Sequence, residues 1–121
     1  MSEPKKKILY VEDHEGLCEL IGWVLEDYQV SCAGTLADAL KRTEAEHFDL
    51  YLLDYNLPDG TGAELCLLIR VFDQETPILF CTGNPDFTEA RTRAVGAQGL
   101  IRKGRNYIEE ILGAISQVLA S

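Results

Sequence analysis

The sequence predicts an α/β domain in which one parallel five-stranded sheet is covered by helices on both faces. Short apolar runs, rich in Leu, Ile, Val and aromatic side chains, alternate with longer segments whose apolar residues recur every three or four positions. The short runs are typical of strands buried on both faces, and the longer period is that of an amphipathic helix. The length of 121 residues suits a single domain, which we place over residues 1–121.

Five segments have the composition of buried strands. They lie near 7–11, 29–33, 49–53, 77–81 and 98–101. Each is followed by a segment of helical period, so we expect five strand-helix units joined by short connections.

The first and last helices have the most regular patterns. A helix over about 14–27 has one apolar stripe, formed by Leu17, Leu20, Ile21, Val24, Leu25 and Tyr28. A helix over about 105–119 has another, formed by Ile108, Ile111, Leu112, Ile115, Val118 and Leu119. Each stripe is expected to pack on the sheet.

The three middle helices are predicted from the signals at their ends. In a capping box, a hydroxyl residue is followed three positions later by an acidic residue. Two such pairs precede helical patterns: Thr35 with Asp38, and Thr61 with Glu64. Asn84 and Pro85 predict the cap and first turn of the fourth helix, and Gly96 is expected to end it.

Composition and charge exclude several classes of protein. The formal net charge of −9 argues against direct nucleic acid binding, because that affinity comes largely from Lys and Arg. No apolar stretch approaches the roughly 20 residues that span a membrane. The N-terminal lysines are not followed by the apolar region and cleavage site of a signal peptide. We therefore predict no membrane insertion and a cytoplasmic location. The four cysteines lack a metal-binding spacing and are expected to be free thiols.

Polar side chains follow four of the predicted strands at the point where each strand ends. They are Glu12, Asp13, Asp54, Thr82 and Lys103. Because parallel strands present their C-terminal ends at one edge of the sheet, these side chains are expected to converge. Two carboxylates about 4 Å apart repel by about 4 kcal/mol at an effective dielectric of about 20, so the cluster requires a cation.

The types of side chain in this cluster suit phosphoryl transfer. Lys103 supplies one positive charge, and an oxygen-seeking ion such as Mg²⁺ would supply more. Asp13 and Asp54 suit the metal, whereas the Thr82 hydroxyl and the Lys103 ammonium suit phosphoryl oxygens. A carboxylate can also be the nucleophile and form an acyl phosphate. The cluster therefore predicts a metal-assisted phosphoryl site with Asp54 as the nucleophile.

Four stretches of the chain contain these residues. They are Val11-Glu12-Asp13, the segment 52–62, Cys81-Thr82-Gly83 and Ile101-Arg102-Lys103. In this order and spacing they resemble the motifs of response-regulator receiver domains of two-component signalling, such as the chemotaxis regulators, and the resemblance covers the whole chain. It implies a flavodoxin-like three-layer (βα)5 sandwich with strand order 2-1-3-4-5.

The resemblance also implies a Mg²⁺ site. In receiver domains the positions of Asp13 and Asp54, with the backbone carbonyl of Asn56, bind the metal, and the position of Glu12 holds a metal-bound water. Asp54 would then be phosphorylated by a histidine kinase or a histidine phosphotransfer protein. Such a domain is a switch rather than an enzyme, and only weak self-catalysed phosphorylation and dephosphorylation are expected of it. It acts on a downstream protein, which the sequence does not identify.

The resemblance implies that the remaining site residues, Thr82 and Lys103, bind the phosphoryl group. Two positions near Lys103 depart from the family pattern. Where receiver domains usually have an aromatic residue this chain has Leu100, and where they usually have proline it has Gly104. A cis bond at a non-proline residue costs roughly 2.5–4 kcal/mol, so the peptide bond after Lys103 is expected to be trans. The usual relay from the threonine to an aromatic ring cannot operate through Leu100.

Two other functions are compatible with parts of the sequence. A receiver-like adaptor that binds partners without phosphorylation is favoured by Leu100 and Gly104 and opposed by the intact acidic residues. A Mg²⁺-dependent phosphatase of the haloacid dehalogenase type is the third hypothesis. Such enzymes have a second Asp two residues after the nucleophile, where this chain has Asn56.

Overall fold

The computed structural model describes residues 4–120 and contains seven strands and five helices in that range. The strands are β1 (Lys7–Val11), β2 (Gln29–Ala33), β3 (Leu50–Leu53), β4 (Asn56–Leu57), β5 (Gly60–Thr61), β6 (Ile78–Thr82) and β7 (Gly99–Arg102). The helices are α1 (Glu15–Val24), α2 (Leu36–Ala45), α3 (Gly62–Phe72), α4 (Glu89–Ala94) and α5 (Tyr107–Leu119).

Five strands form one parallel sheet in the order β2-β1-β3-β6-β7. Since β6 and β7 are the fourth and fifth long strands, this is the predicted order 2-1-3-4-5, and the predicted three-layer α/β fold is confirmed. The register places Val11 beside Leu53 in the centre of the sheet. The residues that follow β1 and β3 therefore emerge next to each other.

Alternate strand residues face two separate cores on opposite sides of the sheet. One core joins strand residues such as Leu9, Leu53 and Phe80 to α2 and α3. The other joins Tyr10, Leu52 and Cys81 to α1 and α5. Burial of the central strands on both faces explains why their sequences are continuous apolar runs.

The outer helices are shorter than predicted, although their main packing residues are correct. Helix α1 ends at Val24 rather than near 27, and α5 begins at Tyr107 rather than near 105. Ile21 of α1 is fully buried, whereas Leu20, one position round the helix, is 42% exposed. Among residues 4–120, none of the helices has the length and apolar character needed to cross a bilayer.

The predicted starts of α2 and α3 are confirmed, and the predicted start of α4 is wrong. The hydroxyls of Thr35 and Thr61 accept hydrogen bonds from backbone N–H groups three residues later. Helix α4 begins instead after Thr88, whose hydroxyl accepts from the N–H of Arg91 at 3.2 Å. Asn84 forms a tighter local turn, because its side-chain oxygen accepts from the N–H of Asp86 at 2.9 Å. The predicted end at Gly96 is confirmed by its φ of +92°.

A short antiparallel ribbon, β4 with β5, follows β3 and was not predicted. Its turn contains Asp59, whose carboxylate accepts hydrogen bonds from the N–H groups of Leu36 at 2.8 Å and Ala37 at 3.1 Å. These two hydrogen bonds lower the pKa of Asp59. The ribbon is thereby attached to the first turn of α2, which fixes the path of the chain just after β3.

Gly62, the first residue of α3, lies against the backbone that follows β3. A Cβ at this position would stand 2.1 Å from the carbonyl oxygen of Asp54 and 2.9 Å from the ring of Phe80. Its N–H also donates to the carbonyl of Tyr55 at 2.7 Å. Only glycine allows α3 to begin this close to Asp54.

Gly62→Ala is expected to destabilise the fold by about 1–3 kcal/mol, because the added methyl group meets the backbone of Asp54, which directly follows β3. The matched control is Gly113→Ala in α5, where nothing lies within 4 Å of the added Cβ. That change should stabilise the protein by about 0.5–1 kcal/mol. Urea unfolding of both variants measures the difference, and a Gly62→Ala variant as stable as the wild type would contradict the close packing.

Candidate functional site

The predicted site residues converge at the C-terminal edge of the sheet. Glu12 and Asp13 follow β1, Asp54 follows β3, Thr82 ends β6 and Lys103 follows β7. Backbone hydrogen bonds continue the sheet to this edge: the N–H of Asp54 donates to the carbonyl of Val11 at 3.0 Å, and that of Lys103 to the carbonyl of Thr82 at 3.1 Å. The position of each side chain is thus set by the strand that precedes it.

Three carboxylates form the centre of the site. Oxygen atoms of Glu12, Asp13 and Asp54 all lie within 4.8 Å of one another. Glu12 is 3% exposed and Asp54 is 7% exposed, whereas Asp13 is exposed to solvent. The cluster therefore has a buried floor of two acids and a third acid at its opening.

Lys103 is the cation that contacts the buried acids. Its Nζ donates to Oδ2 of Asp54 at 2.9 Å and also to Oε1 of Glu12. Although burial alone would favour the neutral amine, the hydrogen bonds and charges of Glu12 and Asp54 raise the pKa of Lys103 above its ordinary value. The peptide bond after Lys103 is trans, as predicted, and the ammonium group reaches both acids with Gly104 in place of proline.

Glu12 is one of the two buried acids, and within residues 4–120 its carboxylate accepts three hydrogen bonds. Besides Lys103, the donors are the hydroxyl of Tyr10 at 3.3 Å and the N–H of His14 at 3.2 Å. Burial raises the pKa of Glu12, the charge of Asp54 raises it further, and the contact with Lys103 opposes both. Neither Glu12 nor Asp13 caps α1. The cap is His14, whose Nδ1 accepts a hydrogen bond from the N–H of Leu17 at 3.1 Å.

Asp54 is held at both carboxylate oxygens. Oδ1 accepts a hydrogen bond from the N–H of Tyr55 at 2.7 Å, and Oδ2 accepts from Lys103. The carboxylate is therefore fixed in one orientation at the end of a central strand. A preoriented, partly desolvated carboxylate surrounded by hydrogen-bond donors is suited to nucleophilic attack on a positioned substrate.

Thr82 and Asn56 are linked by a residue that the sequence analysis did not place in the site. The Thr82 side chain is 1% exposed, and its Oγ1 accepts from the N–H of Asn84 at 3.2 Å. The side-chain amide of Asn84 also donates to Oδ1 of Asn56 at 3.1 Å. Only a capping role was predicted for Asn84, because its contact with Asn56 joins residues 28 positions apart and has no local signal.

The oxygen-rich cluster fits a hard divalent cation. Its candidate ligands are all carboxylates, and among residues 4–120 a single ammonium group contacts the two buried ones. Mg²⁺ binds through one or two carboxylates together with waters and substrate oxygens, and the exposed carboxylate of Asp13 leaves room for such ligands.

Comparison with known proteins gives the family of this chain. The sequence model of the response regulator receiver domain matches residues 8–115. The chain belongs to the response-regulator receiver family. It is thus a receiver domain of two-component signalling. Response regulator ArlR of Staphylococcus aureus is 34% identical over 116 residues, which are 93% of this chain and 52% of ArlR.

Solved receiver structures have the same fold. The receiver domain of HemR from Leptospira biflexa, in its non-phosphorylated form, matches with a TM-score of 0.88 and 34% identity, covering 97% of this chain and 96% of that one. The response regulator TrrA of Thermotoga maritima, solved in complex with Mg²⁺ and BeF, matches with a TM-score of 0.84 and 26% identity, over 94% and 99% of the two chains. The chain spans 52% of the length of ArlR and 36% of that of the DNA-binding transcriptional activator DevR/DosR of Mycobacterium tuberculosis.

Lys103→Gln is expected to raise the pKa of Glu12 further, because the substitution removes the cation that opposes burial and the charge of Asp54. A carboxyl whose pKa is raised in the folded state binds its proton more tightly there than in the unfolded chain. Its contribution to stability is therefore lost as the pH rises through that pKa, and the loss should be larger in Lys103→Gln. NMR titration of the Glu12 side-chain carbon measures the shift.

Lys41→Gln is the control, since Lys41 is exposed on α2 and the substitution changes the net charge by the same amount. A Glu12 titration that is identical in the two variants would show that Lys103 does not act on this acid.

Proposed function

We propose that this receiver accepts a phosphoryl group on Asp54 in a Mg²⁺-dependent reaction and thereby changes its affinity for a protein partner. The observation that supports the proposal is the contact of Lys103 with Asp54 and Glu12 at the edge of the sheet. A carboxylate, an ammonium group and a cluster of acids lie together there, which supports the roles of nucleophile, cation for phosphoryl oxygens and metal ligands.

In the proposed reaction, an Asp54 oxygen attacks the phosphorus atom of a phosphorylated donor. A bond forms between the carboxylate oxygen and phosphorus, and the bond from phosphorus to the donor atom breaks, which gives an acyl phosphate. Lys103 is placed to neutralise charge on the phosphoryl oxygens, and Thr82 offers its hydroxyl proton to one of them. Both act by positioning and electrostatics, which are the main contributions of a protein to phosphoryl transfer.

The metal site in this proposal consists of Asp13, Asp54 and the backbone carbonyl of Asn56, with Glu12 holding a metal-bound water. Mg²⁺ bound there would neutralise the acids and the incoming phosphoryl oxygens. The exposed position of Asp13 beside the two buried acids supports this assignment.

The proposed donor is a histidine kinase or a histidine phosphotransfer protein, and the proposed output is the binding of a downstream protein. We also propose that residues 1–121 act as one receiver domain, to which the family match over 8–115 corresponds. A phosphorylation-independent adaptor would not need Lys103 at Asp54.

Incubation with Mg²⁺ and acetyl phosphate should add one phosphoryl group to the wild-type protein, as seen by intact mass spectrometry. Asp54→Asn should abolish the adduct, because the amide is not a nucleophile for this reaction. Asp27→Asn, which changes an exposed acid between α1 and β2, should be modified like the wild type. Absence of an adduct on the wild type, or its persistence in Asp54→Asn, would contradict the proposal and favour the adaptor.

Mg²⁺ should stabilise the folded protein by about 2.7 kcal/mol at a hundredfold excess over its Kd, because the ion binds only the folded site. Asp13→Ala should abolish this gain, whereas Asp27→Ala should keep it. Thermal unfolding with and without Mg²⁺ measures the effect. Equal Mg²⁺ stabilisation of all three proteins would place the ion elsewhere.

A further inference from the structure

The loop 83–88, between β6 and α4, is held by a side chain from the neighbouring strand. Arg102 ends β7 and pairs with Thr82 across the sheet. Its guanidinium donates from Nη1 to the carbonyl of Asn84 and from Nη2 to the carbonyl of Phe87, both at 2.6 Å. The carbonyl of Asn84 accepts a second hydrogen bond from the N–H of Phe87 at 3.3 Å. Arg102 thus closes the loop into one turn and fastens it to the sheet.

The same loop leads back to the phosphoryl site. Asn84, whose carbonyl Arg102 holds, donates its N–H to Oγ1 of Thr82 and its side-chain amide to Asn56. A threonine hydroxyl has one proton to donate and two lone pairs to accept hydrogen bonds. Because the N–H of Asn84 occupies a lone pair of Thr82, the hydroxyl proton stays available for a phosphoryl oxygen.

The far end of the loop is anchored by an aromatic contact. The Phe87 ring is fully buried, 4.7 Å from the ring of Tyr55 and 4.6 Å from that of Phe80. Tyr55 follows Asp54 and donates its N–H to Oδ1 of that carboxylate. The loop therefore contacts the site through Asn84, which bonds Thr82 and Asn56, and through Phe87, which packs on Tyr55 next to Asp54. Arg102 is hydrogen-bonded to the carbonyls of both loop residues.

We propose that Arg102 is a positioning residue for phosphoryl transfer, which acts by fixing Asn84 and through it the Thr82 hydroxyl. The proposal rests on the proposed function of Asp54. Arg102 contacts none of the three carboxylates among the hydrogen bonds and ion pairs of the described residues, so its role differs from that of Lys103 beside it. Without Arg102, the Asn84 carbonyl keeps, of its hydrogen bonds within the described part of the chain, the one at 3.3 Å from the N–H of Phe87, and the donor to the Thr82 hydroxyl is no longer fixed.

Arginine is suited to this role by its shape. Two nitrogens of its planar guanidinium donate to two separate carbonyls, those of Asn84 and Phe87. The single ammonium group of lysine does not reproduce this geometry. Arg102→Lys keeps the charge and loses one of the two bonds. It separates an effect of positioning from an effect of charge.

The experiment compares four proteins: wild type, Arg102→Ala, Arg102→Lys and Arg105→Ala. Arg105 is exposed, lies three residues further along the chain and makes no hydrogen bond or ion pair within the described range 4–120, so its variant controls for the lost charge. The rate of phosphorylation by acetyl phosphate is measured at saturating Mg²⁺. We expect Arg102→Ala to be slower by about tenfold, as follows from misplacing a group in the transition state, and Arg102→Lys to be intermediate.

Two further measurements separate positioning from simple destabilisation. The Kd for Mg²⁺ should stay within about twofold of the wild-type value in Arg102→Ala, because Arg102 contacts no carboxylate of the cluster and Asn84 bonds the side chain of Asn56, whereas the proposed ligand is its backbone carbonyl. The amide proton of Asn84 should exchange faster in Arg102→Ala than in Arg105→Ala. In a Thr82→Ala background, Arg102→Ala should cause no further loss of rate, since both changes remove the same hydroxyl effect.

A rate for Arg102→Ala equal to that of Arg105→Ala would overturn the proposal. So would a slow rate accompanied by a parallel loss of Mg²⁺ affinity, or a loss that persists undiminished in the Thr82→Ala background. Failure of the wild type to be phosphorylated would instead overturn the proposed function of Asp54. In that case the exchange of the Asn84 amide still decides whether Arg102 holds the loop.

Discussion

The interaction on which this structure depends is the contact of one ammonium group with two buried carboxylates. Glu12 and Asp54 are almost completely removed from solvent and lie within a few ångströms of a third acid. Burial of unpaired charges costs several kcal/mol per ion, and breaking such a pair leaves that cost uncompensated. Lys103, which follows β7, contacts both acids and offsets this cost, and the three side chains meet because β1, β3 and β7 end at the same edge of the sheet.

Several features of the fold serve this arrangement. The parallel register brings the ends of β1 and β3 side by side, and Gly62 lets α3 begin against the backbone of Asp54. Asp59 fastens the ribbon that follows Asp54 to the start of α2. These contacts fix the backbone on both sides of the carboxylate, and a rigid frame is what a site that works by positioning requires.

The sequence predicted what depends on periodicity and local hydrogen bonds, and it missed what depends on contacts between distant residues. Apolar runs located the strands, and the hydroxyls of Thr35 and Thr61 located two helix starts, because these signals act within a few residues. Asn84 misled the prediction of α4, since an Asx turn and a helix cap use the same side chain. The anchoring role of Arg102 joins residues 18 and 15 positions apart and has no local signal.

The most direct test of the central interaction is a double-mutant cycle on Lys103 and Asp54, measured as the free energy of unfolding without Mg²⁺. The variants are Lys103→Met, Asp54→Asn and the combination. The account predicts that Lys103→Met costs less stability when Asp54 is already neutral, with a coupling energy of about 0.5–3 kcal/mol. Equal costs of Lys103→Met in both backgrounds would contradict it, because the ammonium group would then contribute nothing to holding the carboxylate in place.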